Sequence, residues 1–243
     1  MRRLIFPLIS VVTLLCLFNT SLPVLPNTVF RRAQVIPNNV IRSQYSISLK
    51  MKESPEAEFV DKVGGTAVAI GPRKLVSAAH VFLAVEKMSG FPYQMIPFQI
   101  DLRDRKGEVI ERIRVQVTKI IDGLDLALLE VPQDLPNYIS LGTEKAFERL
   151  EIGANLYIIG AQYGLSPYNI SHGNLSSKYI ENRPGIWQIS TTAFGGNSGG
   201  GVFEEDTNEF VGIVVSIASA NNESGGGNVT FIIPLDVIKK FCK

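Results

Sequence analysis

Residues 192–201 read Thr-Ala-Phe-Gly-Gly-Asn-Ser-Gly-Gly-Gly, and five glycines crowd one serine within seven residues. Glycine loses more backbone freedom on folding than any other residue, so an ordered segment this rich in it needs a physical reason. The bland meaning of such a stretch is a flexible surface loop. Two features argue for order instead. Strand-like segments flank the run, Trp187 to Thr192 before it and Val202-Phe203 after it, and Ser198 has candidate partners upstream. The ordered alternative is a tight turn that exposes a hydroxyl while backbone N–H groups converge beside it. Nucleophilic acyl transfer needs that arrangement.

The chain has two histidines, His80 and His172. His80 closes the apolar run 74–81, which reads as a strand ending in small residues. Alone, it would pass for a packed core histidine. Asp125 opens a second strand-like run, 125–131, so the chain order is His80, Asp125, Ser198. Asp122, in the turn Asp122-Gly123, is the rival acid, but Asp125 directly precedes the strand. His172 lies in the polar turn 169–173 and reads as a surface residue.

These three motifs, in this order, resemble those of the trypsin-like serine peptidases. Ala78-Ala79-His80 is similar to the family's histidine motif, Asp125-Leu126-Ala127-Leu128 to its aspartate motif and Gly196-Asn197-Ser198-Gly199-Gly200 to its serine motif. Within the family the chain resembles the HtrA-like bacterial branch, over roughly residues 64–241. Asn197 stands where digestive proteases carry an aspartate. The segments 153–160, Gly164-Leu165, Gly173-Asn174-Leu175-Ser176 and Phe231-Ile232-Ile233-Pro234 also have counterparts in that branch. One departure is Gly201, where the family usually has proline. Another is that no residues remain after the domain for the peptide-binding module that HtrA proteins often append.

The resemblance implies an all-β fold of two six-stranded antiparallel β-barrels, chymotrypsin-like, with a short C-terminal helix. It implies that His80, Asp125 and Ser198 form a catalytic triad, with the N–H groups of Gly196 and Ser198 as oxyanion hole. It places Thr192 at the base of the primary specificity pocket, and Ser216, Ile217, Ala218 and the stretch Val229, Thr230, Phe231 in its walls. Thr192 carries no charge, and the branched Val229 and Thr230 narrow the pocket. The expected preference is therefore for cleavage after Val, Ala, Leu or Thr. Asn197 cannot supply the negative charge with which digestive proteases capture a new N-terminus. The oxyanion loop must be ordered in another way, or be poised without cutting.

Length and composition agree with an ordinary globular domain. The chain has 243 residues, 45% apolar and 19% charged, with a net charge of +1. Nothing there points to a nucleic-acid partner or an acidic tail. Of two cysteines, Cys16 lies in the N-terminal apolar run and Cys242 beside the terminus, where it reads as a passive thiol. No Cys/His cluster has metal-ligand spacing and no phosphate-cradling loop is present, so no metal or cofactor is expected.

Met1-Arg2-Arg3 and the apolar run 4–18 read as a secretory signal, cleaved or kept as an anchor, within residues 1–21. The run is short of the ~20 residues a spanning helix needs. Residues 22–45, with Pro23, Pro26 and Pro37, read as a lead-in. The protease-like domain is then 46–243: first barrel 46–134, second barrel 151–233, closing helix 234–243. A hairpin at Gly71-Pro72, a helix over 81–87 and a half-buried strand over 112–121 are expected in the first barrel. The second should hold strands near 155–160, 174–179, 187–191, 200–204, 211–218 and 228–233. These features point to an exported, secreted or periplasmic serine endopeptidase acting on protein or peptide. The alternatives are a non-catalytic binding or chaperone-like protein on the same fold, and an esterase-type hydrolase.

Overall fold

The computed structural model describes residues 35–51, 60–90, 97–141, 149–218 and 229–242. Residues 1–34, which carry the secretory-signal reading and much of the lead-in, lie outside the described residues. The first half runs α1 (Asn38–Arg42), β1 (Gln44–Met51), β2 (Val60–Ala69), β3 (Lys74–Ala78) and α2 (His80–Ser89). It continues with β4 (Phe98–Arg103), β5 (Val109–Arg114), β6 (Gln116–Ile121) and β7 (Leu126–Glu130). The second half holds β8 (Asn155–Gly160), β9 (Asn169–Ser177), β10 (Trp187–Ile189), β11 (Gly201–Glu204), β12 (Phe210–Ala218), β13 (Val229–Pro234) and α3 (Leu235–Phe241).

The first seven strands form one antiparallel sheet in the order β5-β4-β1-β2-β3-β7-β6. Its two edge strands, β5 and β6, are separated in sequence by Val115 alone, so the sheet must curl until its edges meet. Val115 marks the seam: its N–H donates to the Phe98 carbonyl at 2.9 Å, while Gln116 already faces Glu130 of β7. The expected strand over 112–121 is thus one stretch of chain serving both edges. Its alternation holds through the seam, with Ile113 and Val115 buried and Arg112, Arg114 and Gln116 exposed. The second sheet closes as a six-stranded barrel, β10-β13-β12-β11-β8-β9. The all-β architecture of two barrel-like sheets with a short closing helix is the one expected, but the first sheet has seven strands where six were expected and is curled, not closed, because the chain turns from one edge to the other at Val115.

Period-two alternation explains how the second barrel is built. Leu156 and Ile158 of β8, Val202 of β11, Val214 of β12 and Ile232 of β13 point inward and pack with Trp187 and Ile189. Their chain neighbours Tyr157, Ile159, Phe203, Ile213 and Ile233 point outward, yet they are also buried. They join the cluster that contains Ile47, Val76, Phe98 and Leu129 of the first barrel. These strands are covered on both faces and therefore read as continuous apolar runs.

Three differences from the sequence reading have physical causes. Structured chain begins earlier than residue 46, with α1 and a β1 that starts at Gln44. Ser43 just before this strand and Gln44, Ser46 and Ser48 within it are buried, polar residues that mask its pattern. Their groups are used: Ser43 Oγ donates to Val40, Gln44 Nε2 to Ser43, and Ser48 Oγ to Asp101. Strand β4 was not expected at all. It carries a buried Asp101 whose charge is met by Arg103 at 2.7 Å and Arg112 at 3.3 Å. Finally, β9 starts five residues early and β10 is short, while Pro234 ends β13 and leaves α3 to start at Leu235.

Candidate active site

The pairing of β3 with β7 decides what meets at the barrel edge. Ala78 lies opposite Leu126, so the residues just beyond, Ala79-His80 on one strand and Asp125 on the other, come together. The Ala79 N–H donates to the Asp125 carbonyl at 2.9 Å. The His80 N–H donates to Asp125 Oδ1 at 2.7 Å, and His80 Nδ1 lies 2.7 Å from Asp125 Oδ2. With the Nδ1–H donating to the carboxylate, Nε2 is left as an acceptor, and it lies 2.9 Å from Ser198 Oγ. The structure therefore brings His80, Asp125 and Ser198 into one hydrogen-bonded line. Asp125 sits at φ 58°, a left-handed conformation that costs an L-residue roughly 1–2 kcal/mol. Its three hydrogen bonds to residues 79–80 hold it there. Asp122 is placed in a 3-10 turn just before it.

Ser198 sits in the second of two successive tight turns. The Asn197 N–H donates to the Phe194 carbonyl at 3.1 Å, and the Gly200 N–H to the Asn197 carbonyl at 2.9 Å. The third residue of each turn is a glycine with positive φ, Gly196 at 92° and Gly199 at 81°, as a type II turn demands. A Cβ on Gly196 would lie 2.1 Å from the Ala161 carbonyl oxygen. The turns are tied to β12, with the Gly199 N–H on the Val214 carbonyl at 2.7 Å and the Val214 N–H on the Gly200 carbonyl at 2.9 Å. The unusual Gly201 has a use for the N–H that proline lacks. It donates to Gln44 Oε1 of β1 at 2.9 Å.

The loop after β8 supplies a further tie. The Tyr163 N–H donates to the Gly195 carbonyl at 2.6 Å. In a trans peptide the N–H points opposite to the C=O, so this bond turns the Gly196 N–H away from Tyr163. Among the described residues, neither the Gly196 N–H nor the Ser198 N–H meets an acceptor. Tyr163 holds its position at φ 50°, a second strained residue in this site.

A cleft of about 450 Å³ opens beside the three residues, lined by His80, Asp125, Phe194, Gly195, Ser198, Val214, Val215 and Ser216. Of the residues assigned to the pocket from sequence, Ser216 lines it. Thr192 is exposed and is not among its lining residues. Phe231 lies opposite Ser216, half-buried under the Arg183 guanidinium 5.1 Å from its ring centre. Ile217 and Ala218 pair with Thr230 and Val229. Thr230 is buried and its hydroxyl donates to the Thr191 carbonyl. Phe194, Val214 and Val215 escaped the sequence reading. A bulge between Val214 and Ser216 leaves Val215 as an extra residue, and no sequence signal announces a bulge. His172 is exposed, with Glu205 at 3.9 Å. The Cys242 thiol is half-buried, and burial raises its pKa, the opposite of an activated nucleophile.

Asn197, where the two turns join, is 1% exposed, and among the described residues neither of its side-chain amide atoms has a hydrogen-bond partner. A Cβ on Gly160 would lie 2.9 Å from its Oδ1, so the space around it is close-fitting. A charge here would be buried and unpaired. Asn197→Asp should therefore cost about 3–5 kcal/mol of stability at pH 8. Burial raises the folded-state pKa of the new carboxyl, so the penalty should disappear below the unfolded value of about 4 and grow as pH rises above it. Urea unfolding at pH 4 and pH 8 measures this, and an equal loss at both would contradict it.

The sequence profile described as "Trypsin-like peptidase domain" matches residues 65–213. A comparison with curated protein sequences gave no significant match. Among solved structures, the HtrA-type protease AlgW with a decapeptide superposes with a TM-score of 0.66 at 17% identity, over 86% of this chain and 66% of that one. An AlgW variant with a tripeptide gives 0.64 at 18%, over 85% and 62%. The MamO protease domain from Magnetospirillum magneticum gives 0.60 at 15%, over 85% and 98%. The chain thus spans less than two thirds of the two AlgW chains' length, and at such identities the likeness is one of fold. The profile covers more than half of the sequence, and the chain belongs to the trypsin-like peptidase domain family.

Proposed function

We propose that this chain is an exported serine endopeptidase that works through Ser198, His80, Asp125 and an acyl-enzyme. The observation that carries the proposal is the line Asp125 Oδ2–His80 Nδ1–His80 Nε2–Ser198 Oγ, with contacts of 2.7 and 2.9 Å. A serine hydroxyl is a weak nucleophile until a base takes its proton. His80 Nε2 accepts that proton as Ser198 Oγ bonds to the substrate carbonyl carbon. Asp125 keeps the imidazole in the required tautomer and stabilises the imidazolium. The oxygen that gains charge is met by the Gly196 and Ser198 N–H groups. His80 then gives its proton to the leaving amine, the C–N bond breaks, and water repeats the sequence to release the acyl group.

A peptide substrate is supported by the family and by the AlgW structures, which carry peptides. Small or medium apolar residues before the scissile bond suit the cleft, whose lining includes Phe194, Val214 and Val215. Its one carboxylate, Asp125, is engaged by His80. Export rests on the basic start and apolar run of residues 1–18.

Protein recovered from a secreting host should lack about its first twenty residues or stay membrane-bound through them. In that material Ser198→Ala or His80→Ala should lower peptide hydrolysis by roughly 10⁴ or more while the fold persists. Asp125→Asn should be severe and Asp122→Asn mild, and the reverse order would refute the assignment of the acid. A peptide-library profile should show cleavage after Val, Ala, Leu or Thr, graded by about 10–200-fold per methylene-sized change. Dominant cleavage after Arg or Lys would contradict the apolar cleft.

A further inference from the structure

Thr66 lies in the middle of β2, outside the motifs that mark the site, and it is fully buried. All its polar groups are used, three of the four bonds going to residues of the second barrel. Its N–H donates to the Ser198 carbonyl at 2.8 Å, and its carbonyl accepts from Ser77 Oγ at 2.7 Å. Its hydroxyl lies 2.9 Å from the Ala161 nitrogen and 2.8 Å from the Gly196 carbonyl oxygen. Chemistry sets the direction of both contacts. The Ala161 N–H can only donate, so Oγ1 accepts there. The Gly196 carbonyl can only accept, so the single hydroxyl proton goes to it.

Gly196 is joined to the chain by two peptide planes, and each is held by one bond to its carbonyl. Tyr163 holds the plane before it through Gly195, and Thr66 holds the plane after it through Gly196, beside the bond from the Asn197 N–H of that plane to the Phe194 carbonyl. Glycine has no side chain to select among its backbone states, so these bonds to the planes on either side make the selection. Ala161 and Tyr163 belong to the same loop after β8, and the Thr66 hydroxyl bonds that loop and the glycine at once. Threonine is branched at Cβ and stiff at χ1, which keeps Oγ1 between its two partners.

We propose that Thr66 is a positioning residue for the oxyanion hole: its hydroxyl holds the peptide plane after Gly196 directly and, through Ala161, steadies the loop whose Tyr163 holds the plane before it, and so it sets the direction of the Gly196 N–H. The assignment rests on the endopeptidase function proposed above. Substrate binding in the ground state does not depend on that N–H, whereas the charged transition state does. The hydroxyl therefore acts on turnover and not on KM.

The test compares Thr66→Val, which keeps the shape and removes the hydroxyl, with Thr66→Ser, which keeps the hydroxyl. Peptide hydrolysis, the rate of fluorophosphonate labelling and the thermal midpoint are measured for each and for the wild type. Thr66→Val should lose ~10²-fold in kcat and in labelling rate with KM changed by less than about 3-fold. Thr66→Ser should keep kcat within about 5-fold of the wild type even where its thermal midpoint falls. If the valine variant does not fold, Thr66→Ala carries the same comparison without added bulk. A valine or alanine variant labelled at the wild-type rate overturns the assignment of Thr66 alone. So does a serine variant that loses as much activity as the variant without a hydroxyl. Wild-type protein that no fluorophosphonate labels overturns the endopeptidase function, and this assignment with it.

Discussion

The nucleophile turn has almost no side chains of its own with which to hold a shape. Order in a stretch this rich in glycine has to come from its surroundings. It comes as hydrogen bonds to its backbone from four directions: Tyr163 from the loop after β8, Thr66 from β2, Val214 from β12 and the Gln44 side chain from β1. Two of those four lie in the first barrel and two in the second. The glycines make the approach possible, since a Cβ on Gly196 or Gly199 would lie 2.1 Å from a carbonyl oxygen. The clamps then remove the freedom that glycine brings. Asn197, beside the nucleophile, carries no charge with which an ion pair could share that task.

The line of contacts from Asp125 to Ser198 crosses between the barrels. His80 and Asp125 are set by the β3–β7 register, and Ser198 by the turns between β10 and β11. The 2.9 Å contact between His80 and Ser198 therefore depends on how the two sheets pack. That packing is apolar and extensive: Tyr157, Ile159, Phe203, Ile213 and Ile233 bury their side chains in the cluster that also fills the first barrel. Close-packed interiors deform little, which suits a site that tolerates errors of only a fraction of an ångström.

Motifs were legible in the sequence where chemistry is local. Glycines beside Ser198, small residues before His80 and an apolar run after Asp125 each reflect a constraint felt within a few residues, and their order suggested the fold. Strands in the second barrel were legible because burial on both faces makes them long apolar runs. What escaped depends on partners far away in the chain. Strand β1 hides behind serines whose hydroxyls are satisfied inside, and β4 behind a charge neutralised by Arg103 and Arg112. The bulge at Val215 redirects cleft residues with no compositional mark. Gly201 reads as a departure from the family until the Gln44 side chain, 157 positions away, accepts its N–H. Thr66 is an ordinary strand residue until Gly196 and Ala161 are placed beside it.

The central claim is that Ser198 is a nucleophile whose oxyanion site is already formed. A crystal structure of the protein after reaction with a peptidyl phosphonate tests it most directly. The account predicts a covalent bond from Ser198 Oγ to phosphorus, with a phosphoryl oxygen about 2.7–3.1 Å from the N–H groups of both Gly196 and Ser198. The Gly195 carbonyl should still be bonded to the Tyr163 N–H. A protein that forms no adduct at Ser198, or an adduct whose phosphoryl oxygen faces a Gly195 carbonyl turned into the site, would contradict it.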